Sequence, residues 1–307
     1  MLPVFNNNKV LCIGEVLWDN LDGKSMPGGA MLNITHHLHH FGIPVTLVSK
    51  VGTDARGIEL LAYMKNAGLN TEAIYFDDTS PTSEVDVAIS KFRNIKYTIG
   101  EPVAWDHLGI NMRIIDHAGT AGAIVYGSLA SRNDVTRATI DVLLNFDNVK
   151  IMDVNLRPPF YNQQAVDSLL HKADIVKVTE KELKEIMGWH NKFYIEEKER
   201  LEWFADNFKN EIVCLTKKGN SASVFYNGML IEHPGYETVT IDNVGTGAAF
   251  LAGFIAGLIL EKNIRLSLDQ ACAMSAIVAG SKGALPEYIQ TKDAQVNIQH
   301  LIQSIVK

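Results

Sequence analysis

Short runs of β-branched and apolar residues alternate with amphipathic segments along most of this chain. Strands alternating with helices favour a mostly parallel sheet that is covered by helices on both faces. The runs expected to be buried strands are 9–15, 44–52, 121–128, 149–155, 173–179 and 211–217, and the expected helices include 56–67, 132–145, 180–187 and 199–208. The sequence therefore predicts an α/β fold, in which ligands bind at the carboxyl ends of the strands.

Two stretches interrupt this alternation. Residues 16–28 and 82–105 have the pattern of strands with no helix between them, and the second stretch has a turn near Arg93 and Asn94. We expect them to form a small β-sheet attached to the main domain, which would serve as a lid. A further hairpin is predicted at Asn227-Gly228, a favoured type I′ pair. Since neither a repeat nor an interdomain linker is found, residues 1–307 are predicted to be one domain.

The charge balance disfavours several classes of partner. The 307 residues carry a formal net charge of −7 without a basic run, so nucleic acid and anionic membrane are not expected to bind. The N-terminus lacks a basic segment followed by an apolar one, which argues against a secretory signal. Three distant cysteines fit reduced thiols better than a disulfide framework. We therefore expect a cytoplasmic protein.

The stretch NVGTGAAFLAGFIAGLIL, residues 243–260, begins with a glycine bend and continues as an apolar helix. Glycines interrupt its apolar run and Glu261 closes it, so a buried core helix is expected rather than a membrane span. A bend of this kind leaves backbone N–H groups free at a helix N-terminus, where they can hold an anion such as phosphate. Ala248 would lie in the first turn and face that anion.

A second glycine bend precedes the segment MPGGAMLNITHHLHHFG, residues 26–42. The helix that follows has an apolar face, and Asn33 in its first turn either reaches a polar ligand or belongs to a simple turn and cap. Histidines 36, 37, 39 and 40 invite a metal-binding interpretation, but no acidic residue accompanies them. Because they fall largely outside the apolar face, we predict that they form a solvated surface.

Polar side chains follow two of the predicted strands. Asp153, Asn155 and Arg157 lie at a strand exit, where Arg157 either faces a phosphate or forms a loop salt bridge. Thr179 and Glu182 have the spacing of a capping box at the start of the next helix.

Three common enzyme classes lack their sequence motifs here. The chain has no G-x-x-x-x-G-K-[ST] segment, no G-x-G-x-x-G after the first strand and no G-x-S-x-G elbow. P-loop enzymes, nicotinamide dehydrogenases of the Rossmann type and serine hydrolases are therefore disfavoured.

Taken in chain order, eight segments resemble the ribokinase-like (PfkB-type) carbohydrate kinases. They are GEVLWD (14–19), GGAMLN (28–33), SKVGTDARG (49–57), EPVAWD (101–106), DVNLRPPFY (153–161), VKVTEKEL (176–183), DNVGTGAAF (242–250) and KGALP (282–286). The resemblance implies a three-layer sandwich with a small β-sheet lid and ATP-dependent phosphorylation of a sugar's primary hydroxyl. EPVAWD and DVNLRPPFY are most similar to the fructokinase branch, which makes fructose the expected substrate. In many relatives the lid pairs two subunits, so a homodimer is expected.

The resemblance also implies a role for individual residues. Those matching sugar-binding positions are Asp19, Gly29 and Asn33; those matching the anion hole are Gly245, Thr246 and Gly247. Those matching nucleotide-side positions are Thr179, Glu182, Thr216 and Gly219, with Lys282 and Gly283 near the adenine. Glu182 would help to organise Mg²⁺ through water, Asp242 would border a monovalent-cation site for K⁺, and Arg157 would lie near the phosphates.

Two positions and one loop depart from the family pattern. Thr179 replaces the asparagine of N-x-x-E, and the loop TKKGNSAS lacks the usual T-x-G-x-x-G glycines. Ala248 stands where relatives have the aspartate that removes the proton from the sugar hydroxyl. Because a general base typically contributes about 10²–10⁴-fold, we expect binding to survive and catalysis to be severely slowed.

Three explanations of Ala248 remain open. The chain is an active sugar kinase carrying an engineered or recent loss of the aspartate, a natural non-catalytic relative that binds sugar and regulates, or a kinase that takes its base from elsewhere.

Overall fold

A computed structural model of the chain describes residues 2–21, 23–89, 95–286 and 288. The helices of these residues are α1 (Ala30–His40), α2 (Ala55–Asn66), α3 (Met112–Thr120), α4 (Asp134–Leu143), α5 (Gln163–Leu170), α6 (Glu180–Trp189), α7 (Glu197–Phe208), α8 (Thr246–Leu260) and α9 (Ile264–Ala279). The strands are β1 (Val10–Ile13), β2 (Leu17–Leu21), β3 (Lys24–Gly28), β4 (Val45–Gly52), β5 (Ile74–Asp77), β6 (Ser83–Ile89), β7 (Ile95–Ile99), β8 (Ala123–Gly127), β9 (Val149–Asp153), β10 (Ile175–Thr179), β11 (Ile212–Thr216), β12 (Ala222–Tyr226) and β13 (Met229–His233).

The main sheet is mostly parallel, as predicted. Its strand order is β13-β12-β11-β10-β9-β8-β1-β4-β5, and the two strands at one end, β12 and β13, are antiparallel. Asn227 and Gly228 join these two strands and both have positive φ angles, 49° and 71°, which confirms the predicted turn. Strand β5, which the sequence pattern did not reveal, extends the opposite edge.

Helices cover both faces of this sheet and make a three-layer sandwich. One core cluster joins alternate strand residues to α1, α8 and α9, and a second joins the other strand residues to the helices from α3 to α7. Helix α8 is buried along almost its whole length because α1 and α9 both pack against it. The apolar stretch is therefore a core helix, as expected.

A second sheet, called here the small sheet, has the order β3-β2-β6-β7. It confirms strands within 16–28 and 82–105, although residues 104–107 form a short 3₁₀ helix instead. The turn predicted near Arg93 and Asn94 lies outside the described residues. Leu17, Val85 and Ile99 pack with Trp105 from the main domain, which holds the small sheet over the carboxyl ends of the main strands.

The prediction of a solvated histidine surface on α1 is wrong. His36, His37 and His40 are only 4%, 0% and 7% exposed. Helix α1 contacts the sheet on one side and α8 on another, and Tyr288 covers the remaining side, where its hydroxyl lies 2.7 Å from Nδ1 of His37. A helix that is enclosed all round has no solvated face, whatever its apolar periodicity.

Two further observations bear on the sequence predictions. Within the ranges that the structure describes, no helix is long and apolar enough to cross a membrane. Cys12, Cys214 and Cys272 are all buried free thiols.

Candidate functional site

A cavity of about 740 Å³ lies between the small sheet and the carboxyl ends of the main strands. This is the edge at which an α/β sheet is expected to bind ligands. It brings together most of the residues predicted from the sequence, namely Asp19, Gly29, Asn33, Arg157, Thr179, Glu182, Thr216, Gly219, Gly245, Thr246, Gly247 and Ala248. Asp242, Lys282 and Gly283 are not among the residues that line it.

The predicted anion hole opens helix α8. Gly245 is its N-cap in the left-handed conformation, at φ 81°, which a residue with a side chain would adopt only with strain. Its carbonyl accepts the amide of Ala249 at 2.9 Å, so the preceding amides of the first turn remain available to an anion. Ala248 is buried and contributes a methyl group to the cavity wall.

A buried ion pair that the sequence analysis did not single out lies beside this turn. Lys177 Nζ is 3.0 Å from Asp153 Oδ1, and both side chains are almost fully buried. Burial lowers the pKa of Lys177, but the negative charges of Asp153 and Glu182 together raise it above its ordinary value, so the lysine stays charged. A Cβ atom on Gly247 would lie 2.8 Å from Nζ, so glycine at this position lets the ammonium group approach the start of α8.

The signal for this pair was present in the sequence. A lysine inside the apolar strand run ADIVKVT must be paired or aimed at a ligand, because an isolated charge is too costly to bury.

The predicted sugar-side positions also line the cavity. Asn33 is 5% exposed, and its Oδ1 has no hydrogen-bond partner among the described residues. Burial raises the pKa of Asp19 to about 6, with Arg157 opposing the rise and Asp242 adding to it. Glu15, also missed from the sequence, is 1% exposed, and its buried Oε2 likewise lacks a partner within the described part of the chain.

Arg157 lies among these carboxyl groups and lines the cavity. Its positive charge counters the upward pKa shifts of Glu15, Asp19 and Asp153. A guanidinium so placed can also face an anionic ligand group.

Thr179 and Glu182 form the predicted capping box. Glu182 Oε2 accepts hydrogen bonds from the backbone N–H and the hydroxyl of Thr179, both at 2.8 Å. Its Oε1 accepts the amide of Leu156 at 2.9 Å. Both oxygens are thus held in place, and their remaining lone pairs suit a magnesium ion bound through water rather than directly.

The loop after β11 closes another side of the cavity. Thr216 and Gly219 both line it, and Gly219 has φ 73° within a short 3₁₀ turn. Asn220 Oδ1 accepts the hydroxyl of Ser275 from α9 at 3.3 Å, which ties the loop to the helix layer.

Asp242, Lys282 and Gly283 lie together behind the anion hole. Asp242 accepts the amides of Val244 at 2.9 Å and Gly283 at 3.3 Å, so it links two loops. A Cβ on Gly283 would be 2.9 Å from the sulfur of Met26 in β3. The structure therefore places this segment next to the small sheet, and its role near an adenine stays a prediction.

Comparison with known proteins defines the class of this chain. The family described as pfkB family carbohydrate kinase matches residues 8–291. The chain belongs to this family, as the sequence motifs indicated.

The relatives include several fructokinases. The chain is 27% identical to Fructokinase-2 of Solanum lycopersicum, over 90% of this chain and 92% of the relative. A double mutant of fructokinase from Vibrio cholerae O395, solved with fructose, ADP and potassium ion, has a TM-score of 0.81 at 19% identity, and the match covers 98% of each chain. An uncharacterized sugar kinase from Pyrococcus horikoshii in complex with ATP has a TM-score of 0.80 at 20% identity, covering 94% of this chain and 99% of that one. The two solved structures confirm the ribokinase-like fold.

Proposed function

We propose that this chain binds ATP and a sugar and transfers the γ-phosphate to a primary hydroxyl, with fructose as the acceptor. The observation that carries the proposal is the convergence, in one cavity, of the helix α8 anion hole with the predicted sugar-side and nucleotide-side residues. Membership of a carbohydrate kinase family supports it, and the fructokinases among the relatives favour fructose.

The residues of the cavity divide between two substrates in this proposal. Asp19, Gly29 and Asn33 bind hydroxyl groups of the sugar. The amides of Gly245–Gly247 receive charge on the transferred phosphoryl group, since fixed donors at a helix N-terminus stabilise developing negative charge. Lys177 is assigned to the same group because its ammonium lies against Gly247.

Magnesium fits the carboxylate of Glu182 through bound water. When present, the ion neutralises charge on the phosphates, as in other phosphoryl transfers. Potassium beside Asp242 remains part of the proposal, supported by the potassium ion in the Vibrio cholerae fructokinase structure.

Ala248 sets the expected rate. Positioning and charge stabilisation account for most of the catalysis in phosphoryl transfer, and the residues for both are in place. Without the family's aspartate the turnover should be lower by a factor of about 10²–10⁴. We therefore expect sugar and nucleotide to bind normally and react slowly.

A sugar-binding regulator without phosphoryl transfer is the second candidate. The methyl group of Ala248 favours it, because a binding protein has no need of a base. Thr179 in place of the family's asparagine also favours a regulator, because it is a second departure from the family pattern, in the nucleotide-side motif.

An ADP-release assay over a panel of hexoses tests the proposal, performed on this chain and on Ala248→Asp. Turnover restored with one sugar supports the kinase and names its substrate. Calorimetric binding of a sugar with no turnover in either protein supports the regulator. A protein that binds neither sugar nor ATP contradicts both.

The predicted assembly and location belong to the same proposal. We expect a cytoplasmic homodimer that associates through the small sheet. Light scattering coupled to size exclusion measures the mass directly, and a monomer at micromolar concentration would exclude the dimer.

A further inference from the structure

Glu15, directly after β1, has one oxygen that is held and one that is not. Oε1 accepts the amide of Ala30 at 3.2 Å and the side-chain amide of Asn155 at 3.4 Å. Oε2 is buried and has no partner in the described part of the chain, although the residue lines the cavity. The carboxyl group is therefore oriented by one oxygen while the other is left for a ligand.

Packing alone does not account for this arrangement. A buried acceptor without a partner loses its hydration and gains nothing in return, and for a carboxylate this cost is large. Groups kept in such surroundings inside a cleft are candidates for catalysis or binding.

The position of Glu15 is at the junction of the two proposed subsites. On the sugar side it contacts Ala30, which lies between the sugar-side residues Gly29 and Asn33 in the chain. On the phosphate side it is bonded to Asn155, two residues from Asp153 and its partner Lys177. An acceptor hydroxyl that attacks a phosphate must lie between these two sides.

The other acids of the cavity floor are already engaged. Asp153 is paired with Lys177 at 3.0 Å, and both oxygens of Glu182 accept backbone N–H groups. Two acids of the cavity lining remain. Asp19 lies on the small sheet and is assigned to sugar hydroxyls, and Glu180 is the exposed first residue of α6, next to the nucleotide-side Thr179.

We propose that Oε2 of Glu15 accepts the proton of the acceptor hydroxyl in this chain, where the aspartate of relatives is replaced by Ala248. The O–H bond of the sugar breaks and the proton remains on Oε2. The sugar oxygen bonds to the γ-phosphorus, while the bond to the β–γ bridging oxygen breaks and its electron pair leaves with ADP. This inference rests on the proposed kinase function.

The charge state of Glu15 suits this role. Burial raises its pKa to about 7, although its own backbone amide and that of Ala30 oppose the rise; the nearby Asp153 adds to the rise and Arg157 opposes it. A general base works best with a pKa near the working pH. Turnover should therefore increase with pH through about 7, as the carboxyl loses its proton.

A double-mutant cycle tests the proposal with four proteins: this chain, Glu15→Gln, Ala248→Asp and the double variant. Glutamine keeps the shape and can still accept the Ala30 amide. In the Ala248 background we expect Glu15→Gln to lower kcat by about 100-fold and to abolish the rise of kcat with pH. In the Ala248→Asp background, which has its own base, the same change should cost less than about fivefold.

Several results would overturn the proposal. An equal loss in both backgrounds would make Glu15 a positioning residue, and a pH profile that survives Glu15→Gln but vanishes in Asp19→Asn would assign the base to Asp19. If only the proteins with Ala248→Asp turn over, Glu15 is no base, yet the kinase function stands. If all four bind ATP and sugar but none turns over, both proposals fail.

Two controls separate chemistry from folding. Circular dichroism and the sugar dissociation constant of Glu15→Gln should match those of the unchanged chain. Glu59→Gln, on the exposed face of α2, makes the same chemical change outside the cavity and should leave kcat unchanged.

Discussion

Asp106 and Glu15 are equally buried, each with 1% of its surface exposed, but their oxygens have very different surroundings. Asp106 Oδ1 and Oδ2 are each 2.7 Å from a donor of Arg132, and Oδ2 also accepts the amide of Val103. The guanidinium of Arg132 stacks on the ring of Trp105 at 4.2 Å. Glu15, in contrast, lines the cavity, and its buried Oε2 has no hydrogen-bond partner among the described residues.

The difference separates a structural charge from a functional one. The Asp106–Arg132 pair lies between the small sheet and the main domain, where its bidentate geometry compensates for lost hydration. Glu15 carries the same cost of burial without that compensation, so its presence needs a reason outside the fold. Substitutions at the two carboxyl groups and at other buried positions should therefore have opposite or unequal effects on stability.

Removing the charge of Asp106 should have the largest effect on stability. Asp106→Asn leaves the buried guanidinium of Arg132 uncompensated, for which we expect a loss of about 3–5 kcal/mol in the free energy of unfolding. Urea denaturation at pH 7.5 measures it. Asp134→Asn breaks a pair with Arg137 at the surface and should change little. Similar small losses at both positions would contradict the structural role.

Removing the charge of Glu15 should instead stabilise the fold at alkaline pH. Its pKa is about 7 in the folded chain against an ordinary value of 4.5, so the unfolded chain releases this proton first. Stability is therefore lost as the pH rises from about 4.5 to 7. By pH 8, Glu15→Gln should be more stable than the unchanged chain by about 3 kcal/mol, with little difference at pH 4.5. A loss of stability at pH 8 would show that the carboxylate is structurally satisfied.

The buried histidines of α1 should give a pH dependence of stability opposite to that of Glu15, with stability lost as the pH falls. Burial holds the pKa of His36 well below its ordinary value, so the unfolded chain takes up a proton below pH 6.5 that the folded chain refuses. Each histidine held neutral in this way lowers the free energy of unfolding by about 1.4 kcal/mol for every pH unit below its ordinary pKa. Between pH 7.5 and 5, His36→Leu should lose about 2 kcal/mol less stability than the unchanged chain. An unchanged pH dependence in urea unfolding would contradict the burial.

The smallest effect on stability is expected at the anion hole. In Gly247→Ala the new Cβ would displace the flexible end of Lys177, changing the free energy of unfolding by less than about 1 kcal/mol. Turnover of the Ala248→Asp protein should nevertheless fall about tenfold or more, because a donor for the phosphoryl charge moves away. Gly188→Ala on α6, where a Cβ meets nothing within 4 Å, is the matched control.

The parts of the fold that sequence predicted well are those with a strong local signal. The alternation of apolar runs and helices defined the main sheet, and the Asn227-Gly228 pair defined its hairpin. The histidines of α1 were misjudged because their burial depends on Tyr288 and α8, which are far away in the chain.

The candidate site was also predicted well only where the sequence carries a local signal. Glycine bends and the family motifs indicated most of the cavity's residues. Asp153 was recognised only as a polar residue at a strand exit, and Glu15 and Lys177 were not singled out, because a charged residue at a strand end becomes notable only when its burial and its partners are known.

Position 248 provides the most direct test of the proposed kinase function. The kcat for fructose and ATP should be compared between Ala248→Asp and Ala248→Asn, which differ in charge but hardly in shape. We predict that aspartate raises kcat at least about 100-fold above the unchanged chain, while asparagine does not, with KM for fructose similar in all three. Equal rates in the aspartate and asparagine proteins would contradict the claim that this cavity is a sugar kinase site that lacks the family's aspartate at position 248.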